Sequence, residues 1–348
     1  MMRAGASFLT VSKSDILSKM KQETKLDRFA KYAWYVLAWN VVVIVWGVFL
    51  RASKSGDGCG EHWLTCNGEL IPSAPQFKTV IEFSHRMTTV IDGFLMLILL
   101  IWAIRIWQKM RDRRSRIILY SVIGAVFFVI TEAAVGAGLV LTGNTAVAVT
   151  DTRPFWAMGH LVNTFVLLVF LVMTVWLAKR ERQFAARPER KVVVLVAIAF
   201  AALLLVGMSG TLAALSNMLF PSASLAEGIA KDFSASSNVV LRLRLSHPIL
   251  SVLTGVYLIF LAGWLKSRRP ASGDVRWWSG AVSALVVIQI AFGAATLLSL
   301  GPIVMQLGHL FLADMVWIAV IFMAANYFAA EPEMPKAEDL VSGHPIES

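Results

Sequence analysis

Charged residues are scarce in this sequence: of its 348 residues, 16% are charged and 57% are hydrophobic. Soluble domains carry about 25% charged residues, so this composition excludes an ordinary soluble protein. Eight apolar runs are long enough to cross a bilayer as helices, which takes about 20 residues. Because the runs lack the alternation of barrel strands, they predict an all-α integral membrane protein with eight transmembrane helices. The runs are 32–50, 84–104, 117–142, 155–178, 192–215, 246–265, 277–300 and 302–328.

Basic residues are nearly missing from every second connecting segment. Segments 51–79, 143–154 and 220–245 contain three, one and three Lys or Arg, whereas the other segments and the two ends contain 24 of the 32. By the positive-inside rule, the basic side is cytoplasmic and both termini lie there. The formal net charge of +10 is then explained by membrane topology, and we expect no nucleic-acid partner.

Cysteine is also rare, since Cys59 and Cys66 are the only two in the chain and both lie in the first external segment. An even number of cysteines in an oxidising compartment favours a disulfide that closes a small loop. Two free thiols are the alternative, and a metal site formed by this pair alone is disfavoured.

Few polar residues interrupt the apolar runs. These residues occur in the same order in the first four runs and in the last four. Such an internal repeat predicts two four-helix halves, 32–178 and 192–328, related by an axis along the membrane normal. Outside them we expect a cytoplasmic N-terminal segment 1–31, a cytoplasmic linker 179–191 and a disordered cytoplasmic tail 329–348. The matching sets, equally spaced, are Ser84-His85 and Gly93 with Ser246-His247 and Gly255, Gly159-His160 with Gly308-His309, and Glu132 and Gly136 with Gln289 and Gly293.

Four histidines lie at matching places in four of these runs: His85, His160, His247 and His309. At a rise of 1.5 Å per residue, each lies about one turn below the outer surface. An ionisable residue inside a membrane needs compensation and therefore indicates function. Facing histidines of a helical bundle can be the two axial ligands of heme iron. We therefore predict two heme sites, His85 with His160 and His247 with His309, the alternative for any one histidine being a hydrogen bond to a neighbouring helix.

The two histidine pairs have different neighbours. Glu82 precedes His85 by three residues and Arg244 precedes His247 by three, which places each on the face of its histidine. A carboxylate suits proton transfer, whereas a guanidinium suits heme propionates. A helix N-terminal acid favoured by the macrodipole is the alternative interpretation of Glu82. The asymmetry indicates one working site and one helper cofactor.

The first external segment and the residues after it carry a family resemblance. Gly56-Asp57-Gly58-Cys59-Gly60, His62-Trp63 and Cys66-Asn67-Gly68, followed by Glu82-Phe83-Ser84-His85-Arg86, resemble the cysteine-bearing loop and the Glu-x-x-His-Arg motif of heme A synthases. The resemblance extends over residues 40–328. It implies eight transmembrane helices in two four-helix halves. It also implies an oxidoreductase of heme biosynthesis, which oxidises the C8 methyl group of heme O to a formyl group and so supplies heme A to terminal oxidases.

The resemblance further implies roles for individual residues. His247 and His309 would ligate a resident heme b, and Arg244 would lie beside it. His85 and His160, with Arg86, would surround the substrate heme O, and Glu82 would be the essential acid. Cys59 and Cys66 would form the external disulfide. The setting would be a bacterial cytoplasmic membrane, with heme O synthase and terminal-oxidase assembly factors as partners besides lipid.

Some features depart from this pattern or stay open. Glu132 stands where a glutamine is expected, and the external segment 220–245 is long. Asp92, Glu132 and Asp314 each either tune a heme or bond between helices, and the sequence does not separate these interpretations.

Three other functions share part of this residue pattern. A di-heme electron-transfer cytochrome needs hemes in opposite leaflets, whereas the four histidines share one depth. A non-catalytic heme-binding assembly protein shares every ligand but does not require Glu82. A prenyltransferase that makes heme O would need Asp-rich motifs to bind magnesium and a diphosphate, and Asp-x-x-x-Asp does not occur in this sequence.

Overall fold

The computed structural model of the chain describes residues 13–179, 184, 188–234 and 238–329. Within these ranges all the named elements of secondary structure are helices. The helices are α1 (Lys13–Ala52), α2 (Phe77–Met110), α3 (Arg113–Leu141), α4 (Arg153–Lys179), α5 (Arg190–Leu219), α6 (Leu225–Phe233), α7 (Val239–Leu243), α8 (Ser246–Arg268), α9 (Gly273–Leu298) and α10 (Ile303–Phe328).

Eight of these helical stretches are long and apolar enough to cross a membrane, which confirms the predicted multi-pass, all-α class. The spanning stretches are 25–52 of α1, 240–268 across α7 and α8, and the whole of α2, α3, α4, α5, α9 and α10. The predicted tail from 330 onward lies outside the described residues. The cytoplasmic position of the termini stays a prediction. The charge pattern predicts which end of the bundle lies outside the cell membrane, and we call this end the outer end.

Several helices extend beyond the apolar runs that predicted them. Helix α2 begins at Phe77 rather than at residue 84. Its first turns mix polar and apolar residues and are held by the external loop, because the Thr79 hydroxyl donates to the Gly58 carbonyl oxygen at 2.8 Å. This longer helix places Glu82 in the interior of α2 and not in its first turn.

The tightly packed core lies toward the end of the bundle opposite to the histidines. Apart from Arg153, the buried residues of α4 lie between Thr164 and Ala178, and those of α10 lie between Asp314 and Tyr327. The Trp317 indole N–H donates to the Phe165 carbonyl oxygen at 2.9 Å, and the two rings stack with centroids 4.6 Å apart. We call this contact of α4 with α10 the central seam, and it joins the two predicted halves.

The contacts between the long helices fall into two sets. Helices α1 to α4 contact one another in chain order and α1 also contacts α4, whereas α5 contacts α8, α8 contacts α9 and α9 contacts α10. The two sets meet where α10 contacts α1 and α4, and where α4 contacts α5. The pseudo-symmetric relation of the two halves stays a prediction.

The orientation in the membrane can be tested with reporter fusions. We expect alkaline phosphatase to be active when fused after Val149 and a fluorescent protein to be bright when fused after Ala271, because these turns follow α3 and α8 on opposite sides. Enzyme activity and whole-cell fluorescence measure the two outcomes. The reverse pattern would contradict the inside placement of the termini.

Candidate functional site

All four predicted histidines lie on spanning helices near the outer end: His85 on α2, His160 on α4, His247 on α8 and His309 on α10. The structure brings the rings of the second pair together edge to face, with the ring centroids of His247 and His309 6.1 Å apart and the planes at 83°. His85 and His160 lie on α2 and α4, which belong to the same set of contacting helices. The geometry therefore brings the rings of His247 and His309 together, and the pairing of His85 with His160 stays a prediction.

Three of the rings rest against a glycine of a neighbouring helix. A Cβ built on Gly210 of α5 would lie 2.8 Å from Cε1 of His247, and one on Gly293 of α9 would lie 2.8 Å from Cε1 of His309. On Gly47 of α1 it would lie 3.1 Å from Cε1 of His85. A larger residue at these places would push the imidazole aside, so we call them the glycine seats.

Sequence reasoning noted Gly293 but missed Gly47 and Gly210. A signal was available, because the two glycines precede His85 and His247 by nearly the same number of residues. Glycines are common wherever membrane helices pack closely. Only the three-dimensional contact therefore separates a seat for a histidine from ordinary helix packing.

The fourth ring has a carboxylate neighbour instead. Oε1 of Glu132 lies 3.0 Å from Nδ1 of His160, although the imidazole N–H is not aligned well enough to count as a hydrogen bond. Glu132 also accepts hydrogen bonds from the Thr164 hydroxyl and the Asn163 amide. In the second half, Gln289 donates to the backbone oxygen of His309 at 3.0 Å. Glu132 thus both joins α3 to α4 and contacts a histidine of the site.

The donor set fits a heme iron better than a bare metal ion. In the part of the chain that the structure describes, no three His, Cys, Asp or Glu side chains are grouped to hold a metal. Two facing imidazoles suit an iron that already has four porphyrin ligands. Nδ1 of His247 lies 3.2 Å from the Val206 carbonyl oxygen, which leaves Nε2 as the ligand atom. Nδ1 of His85 and of His309 is buried with no hydrogen-bond partner among the described residues.

Glu82 is buried directly beneath the external loop. Only 3% of it is exposed, and its Oε2 accepts the backbone N–H of Cys59 at 2.9 Å. Its Oε1 pairs with Nη2 of Arg86 at 2.6 Å. Because Glu82 is not in the first turn of α2, and the macrodipole acts mainly there, a simple helix-terminal role does not explain its position.

The loop above Glu82 is closed by a disulfide between Cys59 and Cys66, as the sequence predicted. Arg86 also contacts this loop, because its Nη1 donates to the backbone oxygens of Trp63 at 2.8 Å and Thr65 at 3.1 Å. Carboxylate, guanidinium and disulfide loop therefore form one connected unit, which we call the Glu82 unit.

Arg244 has a different environment from Glu82. Its guanidinium pairs with Asp232 and donates to the Asn217 side-chain oxygen at 2.9 Å and to the Gly228 backbone oxygen at 2.8 Å. The long segment 220–245, for which the sequence suggested no function, contains α6 and α7. Arg244 ties α6 to the outer ends of α5 and α8.

The chain is similar to known proteins over most of its length. Residues 30–321 match the family model COX15-CtaA, described as cytochrome oxidase assembly protein. The chain belongs to the heme A synthase family. It is 26% identical over 289 residues to a heme A synthase of Shouchella clausii, which covers 81% of this chain and 91% of that protein. It is 38% identical over 105 residues to a heme A synthase of Halalkalibacterium halodurans, which covers 30% of this chain and 34% of that protein.

Another relative carries a different name. The chain is 39% identical over 300 residues to a protoheme IX farnesyltransferase of Thermus thermophilus, and the match covers 86% of this chain and 48% of that protein. The chain therefore spans about half the length of that relative, but most of the length of the heme A synthase from Shouchella clausii.

Two further acids of this heme A synthase family member have distinct surroundings. Asp92 accepts the Asn40 amide at 2.8 Å and so bonds α2 to α1. Asp314 of α10 is fully buried, and neither of its carboxylate oxygens has a hydrogen-bond partner among the described residues.

The link between Arg86 and the loop makes a structural prediction. We expect Arg86→Gln to raise amide hydrogen exchange across 59–66 at least about tenfold, because each lost charge-assisted hydrogen bond contributes about 1.5–3 kcal/mol. Exchange followed by mass spectrometry measures it. Lys78→Gln is the matched control, since Lys78 contacts the same loop only through an exposed pair with Asp57, worth about 0–1 kcal/mol. Equal exchange in the two variants would contradict the link.

Proposed function

We propose that this protein is a heme A synthase, which oxidises the C8 methyl group of heme O to a formyl group and so provides heme A for terminal oxidases. The observation that carries the proposal is the Glu82 unit: a buried carboxylate, held by Arg86 and the Cys59 N–H, one helical turn outward of a histidine pair. The family membership supports the proposal. We place the enzyme in a bacterial cytoplasmic membrane, with its site near the outer face.

The two histidine pairs receive different hemes in this proposal. His247 and His309 hold a resident heme b, supported by their facing rings and by the glycine seats at Gly210 and Gly293. When bound, the heme supplies redox chemistry. Arg244 would offer its remaining N–H groups to a propionate while its pair with Asp232 fixes it in place. His85 and His160 surround the substrate heme O.

Glu82 is the residue that we assign to catalysis. Conversion of a methyl to a formyl group removes protons from the substrate, and a carboxylate in a site shielded from water is suited to accept one. Oε1 is already paired with Arg86, whereas Oε2 is held by a backbone N–H alone. We assign the proton transfer to Oε2. Arg86 orients the carboxylate and anchors the loop over it.

Two rival functions fit the structure less well. A non-catalytic heme-binding assembly protein needs the histidines, but it gives no reason for a buried carboxylate joined to a disulfide loop. A farnesyltransferase is the name of a relative about twice as long as the match, and this sequence lacks Asp-x-x-x-Asp. We propose heme O synthase, besides terminal-oxidase assembly factors, as a partner that delivers the substrate.

The proposal is tested by producing the full chain in a host that makes heme O but no heme A. We expect heme A in the extracted pigments, identified by chromatography and mass, because the first-half site would convert the host's heme O. Folded, heme-loaded protein with no formyl heme would refute the enzymatic function.

The role of Glu82 is tested in the same host. We expect Glu82→Gln to keep its resident heme but to convert heme O at least about 100-fold more slowly, as loss of an acid–base group does. Glu69→Gln is the control, because Glu69 lies in the same loop and its side chain accepts hydrogen bonds from the exposed Ser73. Conversion at the normal rate in Glu82→Gln would remove Glu82 from catalysis.

The second pair is tested by heme content. We expect His247→Ala to lose the resident heme, and Gly210→Ala to lower its occupancy because the new methyl group displaces the His247 ring. Pyridine hemochrome absorbance per protein measures both. Gly263→Ala is the control, since nothing lies within 4 Å of a Cβ at that glycine. Normal heme content in His247→Ala would overturn the assignment.

A further inference from the structure

Two arginines lie outward of the first histidine pair, on the same helix faces as the pair itself. Arg51 follows the glycine seat Gly47 by four residues on α1, and Arg153 precedes His160 by seven residues on α4. Residues four and seven apart share a face of a helix. At 1.5 Å per residue, the two positions lie about 6 Å and about 10 Å further out. We call Arg51 and Arg153 the arginine pair.

The positive charge of the arginine pair is not neutralised by the protein around it. Neither arginine forms an ion pair with any carboxylate in the described ranges, whereas Arg86 and Arg244 do. Arg153 is only 5% exposed and donates to the backbone oxygens of Ala146 and Ala148, both at 2.5 Å. Carbonyl oxygens satisfy its N–H groups but leave its charge, and a buried charge favours an anionic partner.

The two arginines belong to one region of the outer end. Gly56, which follows α1, approaches Thr145 and Ala146 closely, with a built Cβ at 3.5 and 3.6 Å from their atoms. The loop after α1 therefore contacts the loop that binds Arg153. Asp151, the acid closest to Arg153 in the chain, is exposed and has no ion pair with it in the part that the structure describes.

The second half has no such pair. The residue four after the glycine seat Gly210 is Ala214, and the residue seven before His309 is Pro302. Its outer arginines are Arg244, which is paired with Asp232, and Arg242, which is exposed. Among the described residues, two arginines without a carboxylate partner on the faces of a histidine pair are therefore found in the first half alone.

We infer that Arg51 and Arg153 bind the two propionate carboxylates of the substrate heme. This inference rests on the proposed function and deepens it. Guanidinium–carboxylate pairs are strong and directional, so the porphyrin would stand with its carboxylate edge toward the outer surface. In heme O the C8 methyl shares its pyrrole ring with one propionate. Fixing that propionate therefore fixes the methyl at the outer edge, at the level of Glu82.

The inference also separates the roles of the two halves. A heme that enters the first half meets two arginines that have no carboxylate partner, and these select a dicarboxylate in one orientation. The arginine pair is in this sense a positioning device for the reaction at C8. It leaves the proton transfer to Glu82.

The test compares heme O with its dimethyl ester, which has the same ring but no carboxylate charge. Detergent-solubilised full-length protein carrying its resident heme is titrated with each probe, and binding is followed by the absorbance change. Arg51→Gln is the main variant, because its side chain has no hydrogen-bond partner among the described residues and its loss should not unfold the loop. Arg153→Gln and Arg153→Lys form the second set, and Arg242→Gln, an exposed outer arginine of the second half, is the control.

We expect unmodified protein and Arg242→Gln to bind heme O at least about tenfold more tightly than the diester, since a charge-assisted bond contributes at least about 1.4 kcal/mol, or a factor of ten. In Arg51→Gln and Arg153→Gln this preference should shrink about tenfold, with unchanged resident heme. Arg153→Lys should recover part of it. An undiminished preference for heme O over the diester in Arg51→Gln would overturn the inference.

The two proposals fail separately. Binding is measured without turnover, so an arginine-dependent preference with no heme A formed would leave the carboxylate site standing and refute the enzyme. Formation of heme A, together with a preference for heme O over the diester that does not depend on either arginine, would support the enzymatic function and refute the carboxylate site.

Discussion

Inside a bilayer a polar group finds no water, so each one in a spanning helix must find a partner in the protein. In this chain such partners hold the helices together. Asp92 binds Asn40 between α2 and α1, and the Trp317 indole binds a backbone oxygen of α4. The Glu82 carboxylate is satisfied in the same way, but by a loop outside the membrane. The position of the Glu82 carboxylate therefore depends on this loop as much as on the helix that carries it.

The two histidine pairs illustrate how similar ligands can be given different chemistry by their surroundings. Both have glycine seats, and in both the rings come from helices that run outer end first. Around the first pair the protein adds Glu82, Glu132 and unpaired arginines, whereas around the second it adds Gln289 and an arginine already bound to Asp232. Neutral surroundings suit a permanently bound group. Charged surroundings suit a substrate that must be bound selectively, oriented and released.

Much of the architecture was predictable because bilayer thickness dictates the length of an apolar run, and all eight spans were found in this way. The disulfide followed from two cysteines in one external loop. The start of α2 was not predictable, since residues 77–83 are mixed in polarity and are held as helix by contact with Gly58. Nor were the partner of Arg244 and the seats at Gly47 and Gly210, because each depends on a contact between segments distant in the chain. The roles of the site residues stay predictions.

The central seam has a consequence for how the outer end can change. Because Trp317, Phe165 and the buried residues that follow them hold α4 against α10 on the inner side of the histidines, much of the packing of the bundle does not involve the residues that face a heme. Substitutions at the outer end should then change the free energy of unfolding of the bundle only a little. A fold anchored at one end and adaptable at the other can therefore change what it binds without having to rebuild its core.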